Sequence, residues 1–327
     1  MSKFIKTLAA TASILTLAGA SAAETPIPAD RSYTVERVTF TSGGDTIVGD
    51  LYIPEGVTDA NPSEAVIVTG SWTSIKEHMS GLYASELAER GQMALSFDFR
   101  TWGESGGDTR SLESPEMKVE DIIAAGNFLV TRGDVSGVNG LGVCASAGYM
   151  ATAAERSPIL QSVALVAPWL HDAEIVETVY GGEDSVSALI ETGRAAAATE
   201  AETGEPQLIA AAGDADSGAL MAMDGGYYND PNRGRIPQWE NTFNLASWEG
   251  WLTFDSVRTA SEITQPVLVV HSEAAAIPQG ARKFEAALTS KGSQSIWLDG
   301  VGQFDFYDSE TQVEKAADYA AAFFIEN

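Results

Sequence analysis

The apolar and polar positions fall into two regimes. Two strand-like runs come first, YTVERVTFTS (33–42) and DTIVGDLYIP (45–54), with Gly43-Gly44 between them as a hairpin turn. EAVIVTG (64–70) is a continuous apolar run, the pattern of a strand buried on both faces. From there helices and strands alternate. A helix is expected over about 76–90, stopped by Gly91, and QMALSFDF (92–99) reads as a strand. Ser114-Pro115 opens a helix with Val119, Ile122, Ile123, Gly126 and Leu129 on one face. NGLGVCA (139–145) reads as a strand, AGYMATAAE (147–155) as a helix and LQSVALVAP (160–168) as a strand. The rhythm then stops for some ninety residues, about 170–260, which hold Ala-rich helical pieces and Tyr227, Tyr228, Trp239, Phe243, Trp248 and Trp251. It resumes with a strand at 265–272, a helix at 279–291, a strand at 293–300 and a last helix. Ser309 and Gln312 open that helix as a capping box, with Val313, Ala317, Ala320 and Phe324 inward.

Strands alternating with helices predict an α/β fold: a mostly parallel central sheet with helices on both faces. The antiparallel hairpin begins it, and the insertion at about 170–260 follows the sixth strand as a helical, aromatic-rich cap. At 327 residues the chain suits a single domain of this kind spanning 24–327. Residues 1–23 read as a signal peptide. Lys3 and Lys6 precede a short apolar run, and small-residue cleavage sites follow Ala22 and Ala23. The expected location is therefore periplasmic or secreted, with no membrane association after the leader is removed.

Charge narrows the partners. The formal net charge is −27, which repels nucleic-acid backbones and anionic lipid surfaces. A small molecule is the expected partner. The single cysteine, Cys144, excludes an internal disulfide and cysteine-based metal clusters. No zinc-spaced His/Glu set occurs, and the glycine clusters lack a phosphate-loop lysine, so no cofactor and no metal are expected.

Candidate chemistry centres on LGVCASAGYM (141–150), where a strand gives way abruptly to a helix. Ser146, flanked by Ala145 and Ala147 with Gly148 two residues on, is the expected exposed nucleophile, with the Ala147 N–H as an oxyanion donor. GVCAS also mimics such a bend at Cys144, but a cysteine inside the strand is more simply a small buried hydrophobe. A serine hydroxyl needs a base. The three histidines are His78, near a helix start that disfavours an imidazolium, His171, and His271 at a packed strand end. Asp98 and Arg100 in FDFRTWGESGG read as a turn lock.

Five segments in order resemble the α/β-hydrolases, of the dienelactone-hydrolase-like or acyl-esterase-like kind. They are TGSWTSIKEH as the oxyanion loop, FDFRTWGESGG as the turn after the fourth strand, CASAGY as the nucleophile elbow, VLVVHSEAAAIP as the acid-bearing loop and DGVGQFDFYD as the histidine-bearing loop. The resemblance implies that Trp72 supplies the second oxyanion N–H. It also implies that the fifth and sixth strands are neighbours, so that His171, just past the sixth, overhangs Ser146 as a non-standard base. Two positions depart from the pattern: Gln303 stands where the histidine would be, and Glu273 to Ala276 where the aspartate would be. Glu273 and Asp305 are nearby acids that orient a base or simply face solvent. The implied function is hydrolysis of a small, largely apolar ester or other acyl substrate. The alternative is a lapsed hydrolase that binds a small ligand without turnover.

Overall fold

The structure, a computed structural model, describes residues 29–327. The leader expected at 1–23 lies outside the described residues. The first ten elements are β1 (Tyr33–Ser42), β2 (Asp45–Pro54), β3 (Ser63–Thr69), α1 (Met79–Glu89), β4 (Met93–Phe97), α2 (Pro115–Leu129), β5 (Val135–Val143), α3 (Ala145–Arg156), β6 (Val163–Val166) and α4 (Ala173–Tyr180). They are followed by α5 (Glu183–Thr203), β7 (Leu208–Ala210), β8 (Ala212–Gly213), β9 (Met221–Ala222), β10 (Thr242–Asn244) and α6 (Ser247–Thr253). The chain closes with β11 (Val267–His271), α7 (Pro278–Ala287), β12 (Gln294–Trp297), α8 (Asp305–Asp308) and α9 (Glu310–Glu326).

Eight strands form one sheet in the order β1-β2-β4-β3-β5-β6-β11-β12. Only the pairings made by β2 are antiparallel, with β1 and with β4; the others are parallel. The hairpin closes between Ser42 and Asp45, with Gly43 and Gly44 both at positive φ. A two-residue turn whose central residues both need the left-handed region selects glycine there. The central strands are apolar runs because helices cover both faces: Ala65 to Val68, Val163 to Val166 and Val267 to Val270 are fully buried. In α2, Ser114 caps through its side chain to the Met117 N–H, with Pro115 next in line, and Val119, Ile122 and Leu129 face the core. In α9 the expected inward set, Val313, Ala317, Ala320 and Phe324, is buried. The Ser309 side chain makes no cap bond there; its carbonyl accepts from Gln312 and Val313 instead.

Two boundaries differ from the sequence reading, and both bear on the site. The first helix begins at Met79 rather than near 76, because residues 71–78 are drawn into a loop by polar contacts that a helix could not make. The Asp98 carboxylate accepts from the Lys76 N–H at 2.8 Å and from Lys76 Nζ at 2.8 Å. Arg100 is likewise locked, its Nε donating to Asp121 at 2.6 Å, so Asp98 and Arg100 hold turns as expected. The second difference is larger. β5 ends at Val143, and α3 begins at Ala145, so the bend falls on Cys144 and not on Ser146. Cys144 has φ 58° and ψ −119°, a conformation that costs a residue with a Cβ and persists only where packing enforces it. Gly142 permits the bend. A Cβ there would lie 2.5 Å from the Ser146 carbonyl oxygen and 2.8 Å from the Ala147 Cα, both backbone atoms of the returning helix. Gly142→Ala is therefore expected to cost about 1–3 kcal/mol through overpacking, read as a lower urea midpoint at unchanged slope. An unchanged midpoint would show that the bend has slack.

Between β6 and β11 the chain forms the cap. α4, α5 and α6 pack together, and the remainder is short strands and turns. Among the described residues no helix is long and apolar enough to cross a membrane.

Candidate active site at the strand 5 elbow

Parallel strands present their carboxyl ends on one side, and that is where loops enclose a ligand. There the ends of β3, β5, β6 and β11 meet the cap around a cavity of about 760 Å³. Cys144 and Ala145 line its floor. Ser71 and Trp72 come from the loop after β3, Ala274 to Ala276 from the loop after β11, and Gln303, Phe304 and Tyr307 from the segment after β12. The cap contributes Tyr180, Leu189, Met221, Met223, Tyr228, Trp248 and Trp251. The cap aromatics are thus both its core and the roof of the cavity. No charged side chain is among the lining residues, so the site suits a neutral, largely apolar molecule with one or two polar groups.

The sulfur of Cys144 stands where the expected nucleophile should be. Burial dominates its electrostatics and pushes the thiol above its ordinary pKa. The Tyr307 hydroxyl, the Ala145 and Trp72 N–H groups and the Gln303 side chain act on it in the opposite sense without cancelling that effect. The Ala145 and Trp72 N–H groups both favour the charged form of the thiol, and donors at that place would equally stabilise an oxyanion on an attacked carbonyl.

The expected site residues fare unevenly. Trp72 lines the cavity, and its backbone N–H acts on the Cys144 thiol. Ser146 does not reach the cavity. It sits in the first turn of α3, fully buried, and its Oγ has no hydrogen-bond partner. The reason is geometric: a helix that starts at 145 turns residue 146 away from the pocket. Ala147 is displaced for the same reason. Its N–H donates to the Cys144 carbonyl at 3.1 Å and is unavailable to an oxyanion.

His171 is buried behind the cavity wall rather than above the elbow. Its Nδ1 accepts from Trp169 Nε1 at 3.0 Å, and its Nε2 donates to the Trp251 carbonyl at 3.2 Å. Both nitrogens are used in holding two tryptophans that do line the cavity. His78 donates from Nε2 to the Gly234 carbonyl at 2.8 Å, accepts at Nδ1 from the Ile75 N–H at 3.2 Å, and packs among Tyr227, Tyr228 and Trp239. His271 is buried at the end of β11 against Trp297. Burial lowers all three imidazoles to about 4, so each is neutral at pH 7. Glu273 is exposed and pairs with Arg282 at 2.6 Å, and Asp305 accepts from the Gly302 N–H at 2.8 Å. Neither acid approaches an imidazole as a hydrogen-bond partner.

Gln303 is where the sequence placed it, beside the elbow. Its Oε1 accepts from the Ala276 N–H at 3.0 Å, and its Nε2 donates to the Ala167 carbonyl at 3.0 Å and the Tyr307 hydroxyl at 3.3 Å. An amide so engaged is a fixed dipole and cannot take a proton at neutral pH. The sequence reading places Cys144 inside the strand, whereas the structure puts it at the bend. Small residues two before and two after fit an apex at 144 (Gly142, Ser146) as well as at 146 (Cys144, Gly148), and the close approach of Ser146 and Ala147 backbone to Gly142 goes with the apex at 144.

No protein-family model matches the chain. It is 26% identical over 306 residues to the Escherichia coli (strain K12) protein named Uncharacterized protein YcjY, covering 89% of this chain and 98% of that one. It is 28% identical over 306 residues to Uncharacterized protein PA2218 of Pseudomonas aeruginosa, covering 89% of this chain and 80% of the other. The crystal structure of PA2218 superposes with a TM-score of 0.77 at 24% identity, over 91% of this chain and 95% of that chain. The α/β hydrolase GrgF from Penicillium sp. sh18 superposes with a TM-score of 0.73 at 18% identity, over 88% of this chain and 97% of that one. Strand order, elbow and superpositions agree: this chain has the α/β-hydrolase fold.

Proposed function

We propose that the protein is a hydrolase-type acyl site in which Cys144, not a serine, is the nucleophile, and in which the reaction runs to an acyl adduct and then slows. The ligand is a neutral, largely apolar ester or thioester whose carbonyl oxygen enters between the Ala145 and Trp72 N–H groups. The Cys144 sulfur attacks the carbonyl carbon, the oxygen takes the negative charge, and the intermediate collapses. The bond to the leaving alcohol or thiol breaks, the proton lost from Cys144 ends on that leaving group, and a thioester remains. Hydrolysis of the thioester needs a base for water, and Gln303 cannot serve as one. The single observation behind this reading is the strained Cys144 at the cavity floor with an engaged amide beside it, where an imidazole would complete a catalytic set. The lysine-led apolar start supports export, so the site would work in the periplasm or outside the cell.

The test is intact-mass spectrometry after incubation with p-nitrophenyl hexanoate. A single hexanoyl addition is expected in the parent and in Ser146→Ala, and none in Cys144→Ala. An adduct that survives in Cys144→Ala, or its absence from the parent at every pH from neutral to alkaline, would overturn the reading. The raised thiol pKa favours a second reading, binding with no covalent step. Its signature is saturable quenching of tryptophan fluorescence from Trp72, Trp248 and Trp251 with no change in mass.

A further inference from the structure

Beneath the loop that carries the Trp72 N–H lies a buried polar cluster that the acyl chemistry does not itself use. Glu113 is fully buried. Its Oε2 accepts from the Thr73 N–H at 3.0 Å, and its Oε1 accepts from Lys118 Nζ at 2.6 Å and the Tyr149 hydroxyl at 2.7 Å. Thr73 has φ 61°, left-handed backbone in a residue with a branched Cβ, and its carbonyl accepts from Trp239 Nε1 at 2.8 Å. The Trp72–Thr73 peptide that Glu113 holds meets the Ser71–Trp72 peptide, which carries the Trp72 N–H, at the Trp72 Cα, so only the φ and ψ of Trp72 separate the held N–H from the one at the elbow. The Glu113 N–H in turn donates to Ser247 Oγ at 2.8 Å, at the start of α6, whose Trp248 and Trp251 roof the cavity.

A buried ion pair is a costly way to gain stability, because desolvation of both charges offsets most of their attraction. A buried carboxylate that spends one oxygen on a strained backbone N–H does something an apolar pair could not: it fixes a peptide in an orientation the chain would otherwise leave.

We propose that Glu113 is a positioning residue for the oxyanion site: its carboxylate, held by Lys118, pins Thr73 so that the Trp72 N–H points at the Cys144 sulfur and at any oxyanion formed above it. This rests on the acyl-site reading for its catalytic meaning, but its central consequence does not. The Trp72 N–H favours the charged form of Cys144, and both residues line the same cavity, so loosening it is expected to move the thiol's own titration whether or not an acyl compound ever binds. The other titratable groups around the thiol are the phenols of Tyr149, Tyr180, Tyr228 and Tyr307, each raised chiefly by burial and each neutral across the useful range.

The experiment is the pH profile of Cys144 alkylation by iodoacetamide in the full chain, with the melting temperature followed alongside. Glu113→Asp keeps the charge pair but withdraws the carboxylate by one methylene. Glu113→Gln with Lys118→Met removes both charges without stranding a buried ammonium. Both are expected to raise the alkylation midpoint by about half a pH unit or more and to slow hexanoylation about tenfold at fixed pH. Asp121→Asn, which weakens the equally buried pairing with Arg100 away from the elbow, is the comparison. It is expected to lower the melting temperature without moving the midpoint. A folded Glu113→Asp or double variant with the parent's midpoint overturns the proposal, as does an Asp121→Asn profile that moves equally. Failure of the acyl-site reading looks different: the midpoint still shifts, and no variant, parent included, gains acyl mass.

Discussion

Gln303→His is expected to turn a slow acyl acceptor into a catalyst. The imidazole would stand beside Tyr307 and Cys144, in the place now held by an amide fixed by Ala276, Ala167 and Tyr307. It would take the thiol proton during attack and then activate water against the thioester. A positioned general base contributes about 10²–10⁴ in rate, so release of p-nitrophenolate from the hexanoate ester should rise at least about 10²-fold at pH 7.5. Release should also pass from a single burst to steady turnover. The Ala276 N–H now donates to Gln303 Oε1, which would favour the wrong imidazole tautomer. Ala276→Asp in the same chain should supply an orienting carboxylate and raise the rate further. The gain must vanish in a Gln303→His, Cys144→Ala double variant. A folded Gln303→His protein no faster than its parent would mean that Cys144 is not the nucleophile or that no acyl compound reaches it.

The second large effect is on stability. His78, His171 and His271 are all buried and held near 4, while an unfolded chain titrates histidine near 6.5. Between those values the unfolded state binds protons that the folded state refuses, so stability rises with pH across the window and is lost on acidification from about 6.5 towards 4. Each imidazole contributes on the order of 3 kcal/mol to that loss, and three together approach the whole stability of an ordinary domain. The depressed carboxyls of Asp134 and Asp172 act in the same direction at lower pH, and the raised ones of Asp98 and Asp121 oppose them. Urea unfolding at pH 7 and pH 4.5 should therefore show a large drop in midpoint. His171→Gln should flatten the dependence even though it costs stability at pH 7. A midpoint unchanged between pH 6.5 and 4.5 would contradict the burial of these rings.

The sheet, the hairpin and the cap were legible because each rests on local rules: apolar runs for strands buried on both faces, two glycines for a tight turn, and an aromatic cluster where the alternation lapses. The elbow was legible to within two residues, and two residues decide the chemistry. Val143, Cys144 and Ala145 suit a strand as well as a bend, and local propensity cannot say which carries the positive φ. Only the steric demand at Gly142, a contact between a strand and the helix that returns over it, places the apex. The direction of His171 is hidden from the sequence for a related reason. Adjacency of strands 5 and 6 brings the residue near the pocket, but the direction of its side chain depends on Trp169 and Trp251, and tertiary packing fixes both. Gln303 was found because the loop around it is distinctive in sequence. Glu113 was invisible, one acid among 46 Asp and Glu residues, with nothing local to mark it as buried.

The chain carries a single sulfhydryl, and it opens on the cavity. A reporter attached there in the natural sequence, such as a trifluoromethyl ketone for fluorine resonance or a small fluorophore, would label one location with no engineering of competing thiols. Its signal would register guests under the cap directly, so candidate ligands could be screened by occupancy before any reaction is known.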